Sequence, residues 1–271
     1  MADVRAGLLC RHNWRKSKRN LTGASMLLRD HMASSGANLF RWRSYILLAF
    51  VPAIIWATLQ GEQVEATVGP FWGDVFEAFS VCIVVLGEVV RILTVGFVPA
   101  GTSGRNTTGQ LATRLNTSGA YSVVRNPLYL GNCLMYLGVV LYAQSLVLAL
   151  VFVLVLLPYY ERIIAAEEAF LLTKFGKEYT DWAARTPAFV PRLMGWHAPD
   201  MAYSWRSVVR REHASVFGGI VALYLIAVAQ HWVDGESVGM RLHIFMALAA
   251  VTEIAVIAIK KRTTWLTVAG R

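Results

Sequence analysis

Six runs of apolar residues, at about 45–60, 75–98, 128–143, 145–160, 214–232 and 241–259, divide the chain, with polar stretches between them. A helix needs roughly 17–25 mostly apolar residues to cross a bilayer. The first and third runs are short by that measure and would rely on flanking polar residues reaching outward. Only Ala143-Gln144-Ser145 separates the third from the fourth, which predicts a tight helical hairpin. Beyond the fourth run, residues 159–182 predict a helix growing out of the span, with Ile163, Ala166, Phe170 and Leu171 on one face. Gly176 weakens it near its end, and Pro187 and Pro191 bound the next stretch. The predicted fold is all-α, a polytopic transmembrane bundle of about six spans. Its parts are a basic segment 1–44, spans one and two over 45–98, a central unit 99–195, and a connector with two further spans over 196–271.

Composition agrees with a membrane class. The 271 residues are 56% hydrophobic and 16% charged, where soluble domains run near 25% charged. The net charge of +9 would suit nucleic acid only if it formed a basic surface on a water-exposed domain. Here it sorts by loop. Residues 1–44 hold nine Lys/Arg against two acids, and loop 99–126 has Arg105, Arg114 and Arg125 and no acid. Loop 61–74 has Glu62, Glu65 and Asp74 and no base; loop 233–240 has Asp234 and Glu236, and the tail has Lys260, Lys261, Arg262 and Arg271. The positive-inside rule then places both termini, loop 99–126 and segment 161–213 in the cytoplasm, and all six spans alternate without conflict. No nucleic-acid partner is expected. Residues 11–19 are basic, but polar residues continue to Arg43 without the apolar run of a cleaved signal. That basic stretch serves as a topology signal or attracts anionic lipid. Cys10, Cys82 and Cys133 lie far apart, and His197, His213, His231 and His243 lack metal-ligand spacing, so neither a disulfide nor a metal is expected.

Two stretches carry candidate chemistry. In TSGAYSVVRNPLYLGN, residues 117–132, Pro127 pushes Asn126 toward an extended backbone and opens the next helix without losing a bond. The free amides of that helix start, beside Arg125, suit a carboxylate or a phosphate. The plainer alternative is an interface cap, with Arg125 on a headgroup, Tyr129 in an aromatic belt and Gly131 in helix packing. The second stretch sets Arg162 before Glu167 and Glu168, then Phe175-Gly176-Lys177-Glu178-Tyr179. Its carboxylates could bind ribose hydroxyls or a sulfonium, and its guanidinium an anionic group; a solvated interfacial helix is the alternative. Glu88 and Arg91, at i and i+3 within the second run, are close enough to pair. Glu253 could snorkel, or pair with Lys260 or Arg91. Loop 101–116 is polar and glycine-rich, suited either to covering a cofactor or to plain solvation.

Together these stretches resemble the integral-membrane methyltransferases that include isoprenylcysteine carboxyl methyltransferase and the phospholipid N-methyltransferases. Arg125, Pro127, Tyr129 and Gly131 match that family's Arg-His-Pro-x-Tyr-x-Gly motif. Glu167, Glu168, Leu171, Phe175, Gly176, Glu178 and Tyr179 match its second motif, Glu-Glu-x-x-Leu-x-x-x-Phe-Gly-x-Glu-Tyr. The resemblance covers about residues 80–195. It implies S-adenosylmethionine bound on the cytoplasmic side between the motifs, with a lipid acceptor entering from the bilayer. Tyr121, Arg125, Asn126, Pro127, Tyr129, Gly131, Glu167 and Glu168 would bind the cofactor. Arg162, Glu167 and Glu168 would serve catalysis, and Arg105, Arg114 and Arg162 would gather at the headgroup. One departure stands out: the family's His is Asn126 here, which can hydrogen-bond through its amide but cannot titrate near neutrality. The expected activity is methylation of a lipid headgroup, one bearing a phosphate. An isoprenylated-cysteine carboxylate is the second choice of acceptor. The rivals are a nicotinamide-dependent sterol-type reductase and a non-catalytic membrane scaffold. The last two spans are expected to complete the bundle or to form a homo-oligomer contact.

Overall fold

Each of the six apolar runs becomes helical. The computed structural model describes residues 28–42, 46–99 and 112–271, and among them the chain has helices and no strand. In order these are α1 (Leu28–Trp42), a 3-10 turn (Ile46–Phe50) leading into α2 (Val51–Thr58), α3 (Gln63–Val68) and α4 (Pro70–Phe97). There follow α5 (Ala120–Val123), α6 (Pro127–Tyr142), α7 (Leu146–Phe175), α8 (Lys177–Ala183), a 3-10 turn (Leu193–Gly195), α9 (Trp205–Val233) and α10 (Met240–Arg262). Four of them, α4, α7, α9 and α10, are long and apolar enough to cross a membrane. With 16 residues α6 is shorter, about 24 Å at 1.5 Å per residue. The first run is divided because Pro52 stands in the first turn of α2, the place where its missing N–H is tolerated.

The predicted hairpin is present. Gln144 takes a left-handed backbone, φ 52°, and Ser145 caps α7 by accepting from the Leu148 amide at 3.5 Å. Gln144 is fully buried. Its Oε1 accepts from the Glu65 backbone amide at 3.0 Å, and its Nε2 donates to Glu77 Oε1 at 3.4 Å. The hairpin tip is thereby fastened to α3 and α4. Residues 159–182 do not form one helix. Gly176, at φ 53° and ψ −121°, ends α7 and starts α8, because only glycine takes that backbone without a Cβ penalty.

Helices that cross in lipid gain little from the hydrophobic effect and associate through close packing of small residues. The α4–α6 crossing shows this. A Cβ at Gly131 would stand 2.8 Å from the Gly87 carbonyl oxygen, and one at Gly87 would stand 2.6 Å from that of Gly131. The core on the other side gathers Phe152, Leu156, Tyr159, Tyr160 and Ile163 of α7, with Leu39 and Phe40 of α1 packed against them. There α1 crosses so closely that a Cβ at Gly36 would overlap the Arg162 carbonyl oxygen. No residue of α10 is buried, and Ile244, Leu248 and Val251 point outward.

Charge divides between the two ends of the bundle. Burial, a shared hydrogen bond with Glu65 and the charges of Glu77, Glu65 and Asp234 push the Glu62 carboxyl up to about 7. The two acidic loops therefore meet at one end. At the other end, Ser204 N donates to Gly96 O at 2.9 Å where α9 starts, Arg210 donates to Thr267 at 3.1 Å, and Arg271 Nη1 donates to Gly96 O at 2.6 Å. The motifs and the basic residues of the tail lie there.

Candidate active site

The start of α6 is held from outside the helix. Gly119 turns the chain at φ 60° and ψ −132°, α5 makes one turn, and Val124 is extended at φ −151° and ψ 137°. Asn126 follows at φ −125° and ψ 58°, outside the α region, as a residue before proline must be. The stretch lies beside residues 187–192 and bonds to them like a short strand pair. Arg125 N donates to Pro187 O at 2.9 Å, Arg192 N to Val123 O at 2.9 Å, and Asn126 Nδ2 to Ala188 O at 3.0 Å. Pro127 is buried at the first position of α6. The Asn126 amide thus latches the loop after α8 onto the helix start.

The two motifs meet through two polar contacts. The Tyr129 hydroxyl donates to Glu167 Oε2 at 2.9 Å, and Arg125 Nη2 lies 2.8 Å from Glu168 Oε1. Arg125 Nη1 also donates to Ala183 O at 2.8 Å, while its Nε is buried with no hydrogen-bond partner. Tyr129 stacks against Tyr160, ring centroids 5.3 Å apart. A second cluster, of Leu115, Tyr179 and Trp182 with Tyr121 and Phe175, closes the far side, and Trp182 Nε1 donates to Tyr121 O at 3.1 Å. Desolvation, and then the charge of Glu167, pushes the Tyr121 hydroxyl well above the usual phenol range; Arg211 opposes the shift. The phenol is therefore a neutral hydrogen-bonding group at physiological pH.

The remaining residues singled out in the sequence lie apart from that junction. Gly131 lies in the α4–α6 crossing, with Arg91 Cγ 2.6 Å from where its Cβ would be. Arg162 Nη1 donates to Pro158 O on its own helix at 3.0 Å. Arg114 pairs with Asp200 at 2.8 Å on the surface, beside a cleft that Thr94, Phe97, Asn116 and Tyr121 also line. Arg105 lies outside the described residues. Arg91 does not take Glu88 as its partner. Its Nε donates to Glu212 Oε2 at 2.9 Å, Nη2 joins the same oxygen, and Nη1 donates to Asn132 Oδ1. Glu253 pairs with His213 at 2.9 Å, and Lys260 Nζ lies 3.1 Å from the other ring nitrogen.

Sequence reading passed over Glu212, Asn132 and Arg211. Glu212 stands just before the apolar run at 214–232, and α9, which starts at Trp205, carries it inside. Its signal was an acid between Arg211 and His213 at the mouth of an apolar run. Asn132 ends the stretch 117–132, one residue past the last motif position, Gly131.

These residues fit S-adenosylmethionine. Carboxylates meet a helix start that has free amides, and a buried guanidinium nitrogen of Arg125 still lacks an acceptor. Among the described residues no three His, Cys, Asp or Glu side chains group as metal ligands.

Residues 77–178 match the sequence model of the family described as phospholipid methyltransferase. The chain is 29% identical over 119 residues to protein-S-isoprenylcysteine O-methyltransferase B of Arabidopsis thaliana, covering 42% of this chain and 58% of that one. It is 34% identical over 79 residues to the protein-S-isoprenylcysteine O-methyltransferase of Schizosaccharomyces pombe, covering 29% of this chain and 34% of that one. It is also 38% identical over 109 residues to a nickel-cobalt-cadmium resistance protein of Alcaligenes xylosoxydans xylosoxydans, covering 38% of this chain and 51% of that one. The match spans about half the length of that relative. No solved structure matches the chain significantly.

Proposed function

We propose, from the match of residues 77–178 to the phospholipid methyltransferase family, that the protein transfers a methyl group from S-adenosylmethionine to the polar headgroup of a membrane lipid, one bearing a phosphate. The observation that carries the reading is the double contact between motifs 38 and 43 residues apart in sequence, Tyr129 to Glu167 at 2.9 Å and Arg125 to Glu168 at 2.8 Å. The two contacts join the start of α6 to α7, and neither is needed to build a membrane anchor.

S-adenosylmethionine supplies a methyl group already activated on a sulfonium, so the protein has chiefly to align donor and acceptor and keep water out. Glu167 and Glu168 hold the cofactor by hydrogen bonds and by their negative charge. Arg125 fixes Glu168, and its buried Nε is available to an acceptor atom on the ligand. The amides at the start of α6 face a carboxylate or phosphate. Tyr121 and Tyr129 contribute hydroxyls, and Pro127 fixes the helix entry, with Gly131 letting α4 approach. Asn126 latches the loop over the site. Arg162, on α7 five residues before Glu167, would orient an anionic headgroup, whose phosphate it complements. The positive-inside pattern supports a cytoplasmic location for this end and for both termini.

The activity of the Arabidopsis and fission-yeast relatives, named as protein-S-isoprenylcysteine O-methyltransferases, favours a second reading, methylation of an isoprenylated-cysteine carboxylate. One experiment orders the two. S-adenosylmethionine and S-adenosylhomocysteine are titrated calorimetrically into detergent-purified protein, beside Arg125→Ala and Glu167→Ala. Binding to the wild type that both variants lose is the expected result; labelled methyl transfer is then measured with a phospholipid extract and with a farnesylated cysteine. A folded wild type that binds neither compound refutes methyl transfer.

A further inference from the structure

The stretch that matches the family ends at residue 178, yet the motif helix is fastened to something beyond it. Glu212, on α9, is 3% exposed. Its Oε2 receives two donors from Arg91 of α4, and Arg91 in turn donates to Asn132 of α6. At 1.5 Å per residue, Glu212 lies about 10 Å into its helix, Arg91 about 9 Å and Asn132 about 8 Å, measured from the ends nearest the motifs. The three side chains meet at one level, below the motif contacts. A charged pair at that depth is costly compared with apolar residues of the same volume. Helix association alone does not explain it, because Gly87, Gly131 and Gly138 already bring α4 and α6 together.

What the pair adds is directional. Asn132 lies three residues beyond Tyr129 and so shares its helix face. The Asn132 amide also lies beside the Tyr160 hydroxyl. Tyr160 stacks on Tyr129 at 5.3 Å, and Tyr129 holds Glu167. A polar and aromatic chain therefore runs from Glu212 through Arg91, Asn132, Tyr160 and Tyr129 to Glu167. We propose that Glu212 is a positioning residue: through Arg91 and Asn132 it sets the rotation of α6 so that Tyr129 grips Glu167, which makes α9 part of the methyl-transfer unit. The inference rests on the methyl-transfer reading for its catalytic meaning and on the contacts alone for its mechanical meaning.

Two measurements test these separately. The first is a double-mutant cycle on thermal unfolding in detergent with Glu212→Gln, Tyr129→Phe and both. If α6 transmits the effect, the combined fall in Tm is smaller than the sum of the single falls; additive falls overturn the coupling, whatever ligand the protein binds. The second compares Glu212→Gln with the apolar pair Arg91→Met/Glu212→Met, which leaves no charge stranded. Positioning predicts that the apolar pair recovers a wild-type Tm, while S-adenosylhomocysteine affinity stays down about tenfold and kcat about tenfold to a hundredfold. An apolar pair with wild-type kcat shows the ion pair to be structural only and overturns the proposal. A wild type that binds no S-adenosylhomocysteine overturns the methyl-transfer reading and the catalytic part of this one, and the Tm cycle still decides the mechanical part.

Discussion

Replacing Gly131 by alanine tests whether the α4–α6 crossing governs the site. The new Cβ would stand 2.6 Å from Arg91 Cγ and 2.8 Å from the Gly87 carbonyl oxygen, where ordinary contact begins near 3.4 Å. The first clash can be relieved only by swinging Arg91, which loosens its bonds to Glu212 and Asn132. The second is with backbone, so the helices themselves must part by about half an ångström. Overpacking a close-packed interface costs about 1–3 kcal/mol. The better helix propensity of alanine returns up to about 1 kcal/mol, leaving a net loss of up to about 2 kcal/mol. At about 2–4 °C per kcal/mol for a chain of this order, Tm in detergent should fall by several degrees, and S-adenosylhomocysteine affinity should fall with it. Gly218→Ala is the control, since nothing lies within 4 Å of its Cβ position, and it should melt at or above the wild type. Gly138→Ala meets Val84 Cγ2 at 2.6 Å and Ser80 O at 2.7 Å, farther along the crossing from the motifs. It should lose stability while keeping ligand affinity. A Gly131→Ala protein that melts with Gly218→Ala and binds ligand normally would refute the account.

Tyr129→Phe removes the donor to Glu167 and should weaken S-adenosylhomocysteine binding by about tenfold, the equivalent of one hydrogen bond to a charged group; calorimetry showing unchanged affinity would remove Tyr129 from the site. Gly176→Ala forces a Cβ into the φ 53°, ψ −121° backbone with open space around it. Strain alone should therefore lower stability, by about 1–3 kcal/mol, and an unchanged Tm would show that the α7–α8 turn can relax. Glu62 carries its proton up to about pH 7 in the folded protein, against 4.5 ordinarily. The folded state holds the proton more tightly, so stability falls as pH rises from about 4.5 to about 7 and levels off above that. Glu62→Gln should flatten that slope in a series of melts; an unaltered slope would assign it to other groups.

Much of the fold could be read along the chain, because its signals are local. Each apolar run is long enough to register without knowledge of its neighbours, Pro127 marks a helix start by backbone geometry alone, and Ala143-Gln144-Ser145 reads as a hairpin, whereas the break at Gly176 within the expected helix 159–182 came only with the structure. The two motifs were legible as residue types at set spacings, and their meeting through Arg125–Glu168 and Tyr129–Glu167 agrees with that reading. Partner choice was another matter. Arg91 had Glu88 one turn away on its own helix and instead pairs with Glu212, 121 residues on, because three helices cross at that level and the acid on α9 faces the gap. Asn126, which looked like a ligand residue in place of a histidine, bonds the Ala188 carbonyl. Gln144, which read as a turn residue, is fully buried and fastens the hairpin to α3 and α4. Helical periodicity constrains residues three and four apart; which faces of different helices meet depends on crossing geometry set by small residues, and so only the tertiary structure decided it.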